Sequence, residues 1–283
     1  MANYGARRGL AAAEPAEWPS STMAVPHYDA TNDLGKLPTA LAEMRRAEVA
    51  AVALSGLFGT SELDQMLQQV YKQRRHWQTG AGPGDYTLGN VWYAHIEFGR
   101  EQEYFATASR SRALVNRLFP RLEQQILALC RLLTGDSDVQ VRANWGGPAL
   151  VVFRAGSETA RRGGVLHVDH DGLPVELLQS NQADAFSFIL PLQLPAQRGH
   201  LLVWPDVFDP ADRERFLVGS GDVAGPHPPV QLLRHEVGTA LAIQSLRVHQ
   251  IQGFDGDRDR VTLNWRLTRV PSADERGRWV VWF

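Results

Sequence analysis

A histidine and an aspartate stand two residues apart in Gly163-Gly164-Val165-Leu166-His167-Val168-Asp169-His170-Asp171-Gly172. They follow a short apolar run, which reads as extended backbone, and residues two apart on a strand point to the same side. An imidazole and a carboxylate aimed at one point can ligate a metal, provided a third donor reaches them. His249, 82 residues further on in Leu246-Arg247-Val248-His249-Gln250-Ile251, is the best candidate. Two histidines and one carboxylate on one face, with the other positions open, suit ferrous iron in oxygen chemistry. A His-x-Asp by itself is commonly a surface pair or a satisfied hydrogen bond. Its weight comes from the apolar strand before it and the second histidine after another.

Donors this far apart need a rigid frame, and the chain has the material for one. Its 283 residues are 44% hydrophobic and 21% charged, as in ordinary globular proteins, and a chain of this length buries most of its unfolded surface. The formal net charge of −2 gives no electrostatic case for nucleic acid or a membrane surface, and the basic charge is nearly all arginine, with only Lys36 and Lys72 as lysines. No apolar run is long enough to span a bilayer. Cys130 is the single cysteine, which forbids an intrachain disulfide and suits a reducing compartment. Gly9 to Ala13, after Arg7 and Arg8, is too short for a secretory signal core. A cytoplasmic protein is expected.

Residues 1–30 are rich in Ala, Pro, Ser and Gly without a period and read as a loose segment. Helical spacing begins at Leu37, Leu41 and Met44. Residues 48–57 read as a strand, and Thr60 caps a helix that runs to about Trp77 with Leu63, Met66, Leu67 and Val70 on its apolar face. Leu114, Leu118, Leu122, Ile126, Leu129 and Leu133 mark one long helix over 109–133, kinked at Pro120. Beyond Gly135 the pattern changes to short β runs divided by Gly, Pro and Asp, at 149–154, 165–169, 185–192, 200–204, 230–236, 239–244, 248–252 and 260–269. Eight such strands predict an all-β barrel or jelly roll. The tail Arg278-Trp279-Val280-Val281-Trp282-Phe283 is too apolar to lie free. It is expected to pair on a sheet edge or to make a homo-oligomer contact.

In order, the second half carries Val151-Val152-Phe153-Arg154, the His-x-Asp, Phe186-Ser187-Phe188-Ile189-Leu190-Pro191, Gly199-His200-Leu201-Leu202-Val203-Trp204, Gly238-Thr239-Ala240-Leu241-Ala242-Ile243, His249, and Arg260-Val261-Thr262-Leu263-Asn264-Trp265. This order resembles the Fe(II)- and 2-oxoglutarate-dependent dioxygenases over residues 139–270. The resemblance implies a mainly β, α+β fold: a double-stranded β-helix (a cupin-like jelly roll) buttressed by helices from 31–138 and closed by a C-terminal strand in 271–283, as one catalytic domain over 31–283. It implies His167, Asp169 and His249 as metal ligands, and an arginine near the start of the last strand for the distal carboxylate of 2-oxoglutarate. Arg260 lies 11 residues after His249 and shares a face with Thr262, so a guanidinium and a hydroxyl can hold one carboxylate. An always-charged planar fork suits that task better than lysine. Arg258, beside the turn at Asp255-Gly256-Asp257, and Arg266, far along the strand, are its rivals.

The implied chemistry takes 2-oxoglutarate and O2 to succinate and CO2 while a C–H bond of a small molecule, an amino acid or specialised metabolite, is hydroxylated or desaturated. Asp169 stands where the related halogenases carry Gly or Ala, so halogenation is not expected. Substrate contacts are expected from Arg142, Asn144, Trp145, Asn181 and Trp204, with 173–184 covering the mouth, and for each of these residues ordinary packing is the competing reading. His170 and Asp171 face away from the motif, and His200, His227 and His235 show no partner pattern. The alternatives are a cupin-like metal-binding module without catalysis and a zinc hydrolase. The second fits poorly, because the metallo-β-lactamase pattern HxHxDH is absent; a serine hydrolase is not supported either, since no Gly-x-Ser-x-Gly elbow exists.

Overall fold

The structure, a computed structural model, describes residues 25–46, 49–80, 82–96, 98–169, 172–173, 184–207, 231–271 and 277–283. In chain order its elements are β1 (His27–Asp29), α1 (Leu37–Arg45), β2 (Ala51–Ser55), α2 (Thr60–Lys72), β3 (Gln78–Thr79), β4 (Asp85–Leu88), α3 (Tyr93–Ile96), α4 (Glu101–Leu118), α5 (Leu122–Thr134), β5 (Gln140–Val141), β6 (Ala149–Phe153), α6 (Glu158–Arg162), β7 (Ala185–Gln193), β8 (Leu201–Val207), β9 (Gln231–Leu233), β10 (Ala240–Gln244), β11 (Arg247–Ile251), β12 (Arg260–Val270) and β13 (Arg278–Trp282). The large sheet runs β1-β2-β10-β7-β12-β6-β4-β3, and the small one runs β11-β8-β9.

From β6 onward the chain alternates between the two sheets. β6, β7, β10 and β12 fall in the large sheet, and β8, β9 and β11 fall in the small one, where the His-x-Asp run joins β11. That alternation is the double-stranded β-helix. It also explains why strand after strand is buried on both faces.

Residues of β12 take opposite duties by parity. Val261, Leu263, Trp265 and Leu267 lie in one cluster with Leu37, Leu41 and Met44 of α1, Met66 and Val70 of α2, and Ile126, Leu129 and Leu133 of α5. Arg260, Thr262, Asn264 and Arg266 therefore face the other way, into the space between the sheets. Trp265 stacks on Phe188 of β7, ring centroids 4.9 Å apart and nearly parallel. The β7–β12 register shifts where Val261 pairs with Gln193 and Thr262 with Pro191, which leaves Leu192 as an extra residue in β7, next to a proline that has no N–H to give to a central ladder.

Several sequence expectations are corrected. The long helix over 109–133 is two helices, α4 beginning at Glu101 and α5 at Leu122, separated at Phe119-Pro120-Arg121. Pro120 removes a donor and disfavours helical geometry at Phe119, so it breaks the helix where a kink was expected. Thr60 is the first helical residue of α2, whose cap position is Gly59 with no side-chain hydrogen bond. Residues 165–169 form no regular strand and join the small sheet by one bridge. The apolar tail pairs antiparallel with the second half of β12 and parallel with β5. Trp279, Val280, Val281, Trp282 and Phe283 are all buried within the chain, in keeping with the sheet-edge pairing expected of the tail.

Candidate metal centre

His167 reaches the small sheet through a short approach built on glycine. Gly163 has φ +79°, and a Cβ there would stand 2.3 Å from the Ile251 carbonyl oxygen. The Gly164 N–H then donates to that same carbonyl at 3.0 Å. His167 and His249 exchange both backbone hydrogen bonds, at 3.0 and 2.9 Å, and the Asp169 N–H donates to the Ser245 carbonyl at 2.7 Å. The β8–β11 register shifts between Arg247, which pairs with Val207, and His249, which pairs with Val203.

The three side chains meet as the spacing requires. One possible ligand atom from each of His167, Asp169 and His249 lies within 4.8 Å of the others. The His167 Nε2 is 3.6 Å from Asp169 Oδ1, and the His249 Nε2 is 3.6 Å from Oδ2. In both histidines Nδ1 lies 2.8 Å from the carbonyl oxygen two residues upstream, Val165 for one and Arg247 for the other. A carbonyl only accepts, so Nδ1–H donates and Nε2 keeps its lone pair for a metal. The His249 side chain is 4% exposed and that of His167 is 38% exposed, so the cluster opens on the His167 side.

Arg266 donates from Nη2 to Asp169 Oδ1 at 2.7 Å. Burial alone would raise the Asp169 carboxyl, but the Arg266 guanidinium and the His249 imidazole outweigh it and hold the group well below the usual carboxylate range. Burial, with His167 alongside, pushes His249 down to about 4 and favours the neutral, ligating imidazole. Arg266, by sequence only a rival to Arg260 for a carboxylate, is instead the partner of Asp169. Its parity with Arg260 was the available signal.

Arg260 is 2% exposed at the other end of the same face. Its Nε donates to the Gly199 carbonyl at 3.0 Å, its Nη2 lies 3.2 Å from His235 Nδ1, and the guanidinium lies over the Phe153 ring. Burial pushes the guanidinium down to about 10, which leaves it charged at neutral pH. Among the described residues no carboxylate pairs with it. Thr262, two residues on and fully buried, has no hydrogen-bond partner for Oγ1 among the described residues, and Asn264 has none for Oδ1. A buried unpaired cation beside an unsatisfied hydroxyl is costly in isolation, so the donor set fits a bound carboxylate. The three-donor cluster fits a ferrous ion of the two-histidine, one-carboxylate kind.

The remaining sequence candidates scatter. Arg142 stacks on Trp145 at 4.0 Å and on Trp282 at 5.3 Å, and its Nη1 donates to the Gly172 carbonyl, three residues past Asp169. Trp145 packs among Trp92, Tyr104, Phe105 and Trp282. Asn144 is exposed with φ +64°. Trp204 is one position out of phase with Val203, which lies opposite His249, and it packs with Val168, Leu246 and Val248. Asn181, His170, Asp171, His227 and residues 174–183 of the expected mouth loop lie outside the described residues. Arg258 lines a polar surface cavity with Tyr71, Arg74, Arg154 and Asp259, away from the barrel interior.

No family profile matches the chain, and no curated protein matches it. Among solved structures, an N-substituted L-amino acid dioxygenase from Burkholderia ambifaria superposes with a TM-score of 0.52 at 12% identity, covering 87% of this chain and 91% of that one, both alone and in complex with alpha-KG. The likeness is one of fold. The epimerase SnoN from nogalamycin biosynthesis covers 84% of this chain and 87% of its own at 16% identity, with a TM-score of 0.49. No described helix is long and apolar enough to cross a membrane.

Proposed function

We propose that this protein is an Fe(II)- and 2-oxoglutarate-dependent oxygenase that hydroxylates or desaturates an unactivated C–H bond of a small molecule. The observation that carries the reading is Arg260: a buried guanidinium without a carboxylate partner among the described residues, facing the same interior as the three-donor cluster. A metal-binding module without catalysis would need the cluster but no such cation. A zinc hydrolase would have no use for a dicarboxylate.

In this reading His167, Asp169 and His249 hold the iron, and Arg260 with Thr262 binds the distal carboxylate of 2-oxoglutarate. Iron, 2-oxoglutarate and O2 together supply oxidative decarboxylation to succinate and CO2, coupled to oxidation of the substrate. The residues of this chain orient and exclude water. Arg266 fixes Asp169, the two carbonyl-bound Nδ1–H groups fix the histidine rings, and the inward face of β12 aligns the keto acid between Arg260 and the metal. The substrate class is a small carboxylate-bearing molecule, with an amino acid the first to test. Arg142, whose guanidinium has no carboxylate partner among the described residues, stands by Gly172 as the group to receive it.

Anaerobic addition of Fe(II) and 2-oxoglutarate should give the weak visible charge-transfer absorption of the chelate. Asp169→Ala should abolish it, and Arg260→Ala should raise the 2-oxoglutarate concentration needed by about tenfold or more. An absorption indifferent to both substitutions defeats the assignment.

A further inference from the structure

The second buried group at the Arg260 end has no assigned role. His235 is 4% exposed and lies two residues beyond Leu233, whose side chain packs with Leu201 and Val203 on the inner side of the small sheet. Beyond the end of β9 the burial still alternates, with Arg234 and Glu236 exposed and His235 buried. The His235 backbone N–H donates to His200 Nδ1 at 3.2 Å, which ties down the segment carrying the imidazole. Its own Nδ1 lies 3.2 Å from Arg260 Nη2.

Arginine has only donors, so that contact determines the tautomer. Nδ1 must accept, and the proton of the neutral ring must sit on Nε2. This Nε2–H is buried and has no hydrogen-bond partner among the described residues. Burial, reinforced by the adjacent guanidinium, holds the imidazole well below its ordinary range, so it stays neutral and does not add a second repelling charge. A buried donor with no acceptor among the described residues, on a ring touching a guanidinium that has no carboxylate partner among them, is the mark of a missing acceptor.

We propose that His235 is a binding residue of the keto-acid site, donating Nε2–H to the distal carboxylate that Arg260 and Thr262 also hold. The inference rests on the function proposed above and deepens it. The carboxylate then meets a guanidinium, a hydroxyl and an imidazole N–H from two separate elements, β12 and the β9–β10 connection. Three fixed donors of this kind select a dicarboxylic 2-oxo acid of one length over shorter ones.

Two substitutions separate the donor from a mere support for Arg260. In His235→Asn the amide sits where Nδ1 was, keeping an acceptor for Arg260 and losing the Nε2–H. In His235→Gln it sits where Nε2 was, keeping the donor and losing the acceptor. With Fe(II) under anaerobic conditions, the Asn variant should bind 2-oxoglutarate about tenfold or more weakly, and the Gln variant within about threefold of the parent. Fe(II) affinity should be equal in all three. A parent-like Asn variant overturns the proposal, and so does a Gln variant weaker than the Asn variant. A measurement on the unsubstituted protein does not depend on variant folding. With ring-15N histidine and Zn(II) in place of iron, the His235 Nε2–H resonance should shift and become protected from exchange when 2-oxoglutarate is added. No change there while 2-oxoglutarate binds overturns the role of His235 alone. No 2-oxoglutarate binding by the parent overturns the co-substrate reading as well.

Discussion

A carboxylate between two imidazoles can turn, and Arg266 holds one of its oxygens. Arg266 takes Oδ1 of Asp169 at 2.7 Å from a strand that is itself paired on both sides. It also supplies a charge that keeps the carboxylate ionised in a buried place. Partners of ligands commonly account for about 10–100-fold in metal affinity. Arg266→Gln should therefore weaken Fe(II) binding within that range in a competition titration against a chelator, and Arg266→Lys should recover part of it. Unchanged affinity in the Gln variant would mean that the contact is structural only. The convergence of His167 and Asp169 was legible in the sequence because a spacing of two on extended backbone is a local rule. Arg266 was not, because sequence gives its place along β12 and says nothing of which group the opposite sheet brings to it. His235 was illegible for the same reason: its partner stands at position 260, in a different element.

At the scale of elements, the His-x-Asp run brings its two side chains together with His249 without forming the strand that the sequence pattern predicts. Residues 165–169 were read as a strand, and what forms is a single bridge flanked by isolated hydrogen bonds. Gly163 and Gly164 allow the backbone to come against Ile251 and then turn, which a regular ladder would not permit. The His167 and Asp169 positions are thus set by glycine geometry together with the pairing to β11. Gly163→Ala places a methyl 2.3 Å from a carbonyl oxygen at a left-handed φ, so the run must move. Its expected effect is a loss of Fe(II) affinity of about tenfold or more, with far-UV circular dichroism unchanged because no regular element is lost. Gly156, also at positive φ but with open space around it, is the control: Gly156→Ala should leave metal binding intact. If the two variants bind Fe(II) alike, the close approach does not position the ligands. The helical half teaches a complementary lesson. Leucines spaced three and four apart continue across Phe119-Pro120, so periodicity alone joined α4 to α5, and the break is decided by one proline ring and its predecessor.

Across the whole molecule, β12 separates stability from chemistry by parity. Its odd residues are buried against helices α1, α2 and α5, and its even residues line the space where His167, Asp169 and His249 converge. The fold class was readable because short apolar runs at turn-separated spacing allow few architectures. The division of labour within one strand depends on which face the helices cover, a long-range fact. It leads to opposite phenotypes at neighbouring positions. Leu263→Ala removes a fully buried side chain from the helix-facing core and should cost about 2–5 kcal/mol in denaturant unfolding. In the folded range its Fe(II) and 2-oxoglutarate affinities should match the parent. Thr262→Val keeps the volume and removes a hydroxyl that has no partner among the described residues, so unfolding should be unchanged or slightly harder. The same change should weaken 2-oxoglutarate binding by about threefold to tenfold, because the hydroxyl's only acceptor in this reading is the bound carboxylate. Reversed results, with Thr262→Val unfolding easily and Leu263→Ala binding poorly, would place the helices on the even face and the keto acid on the other. That would contradict both the core packing and the site derived from it.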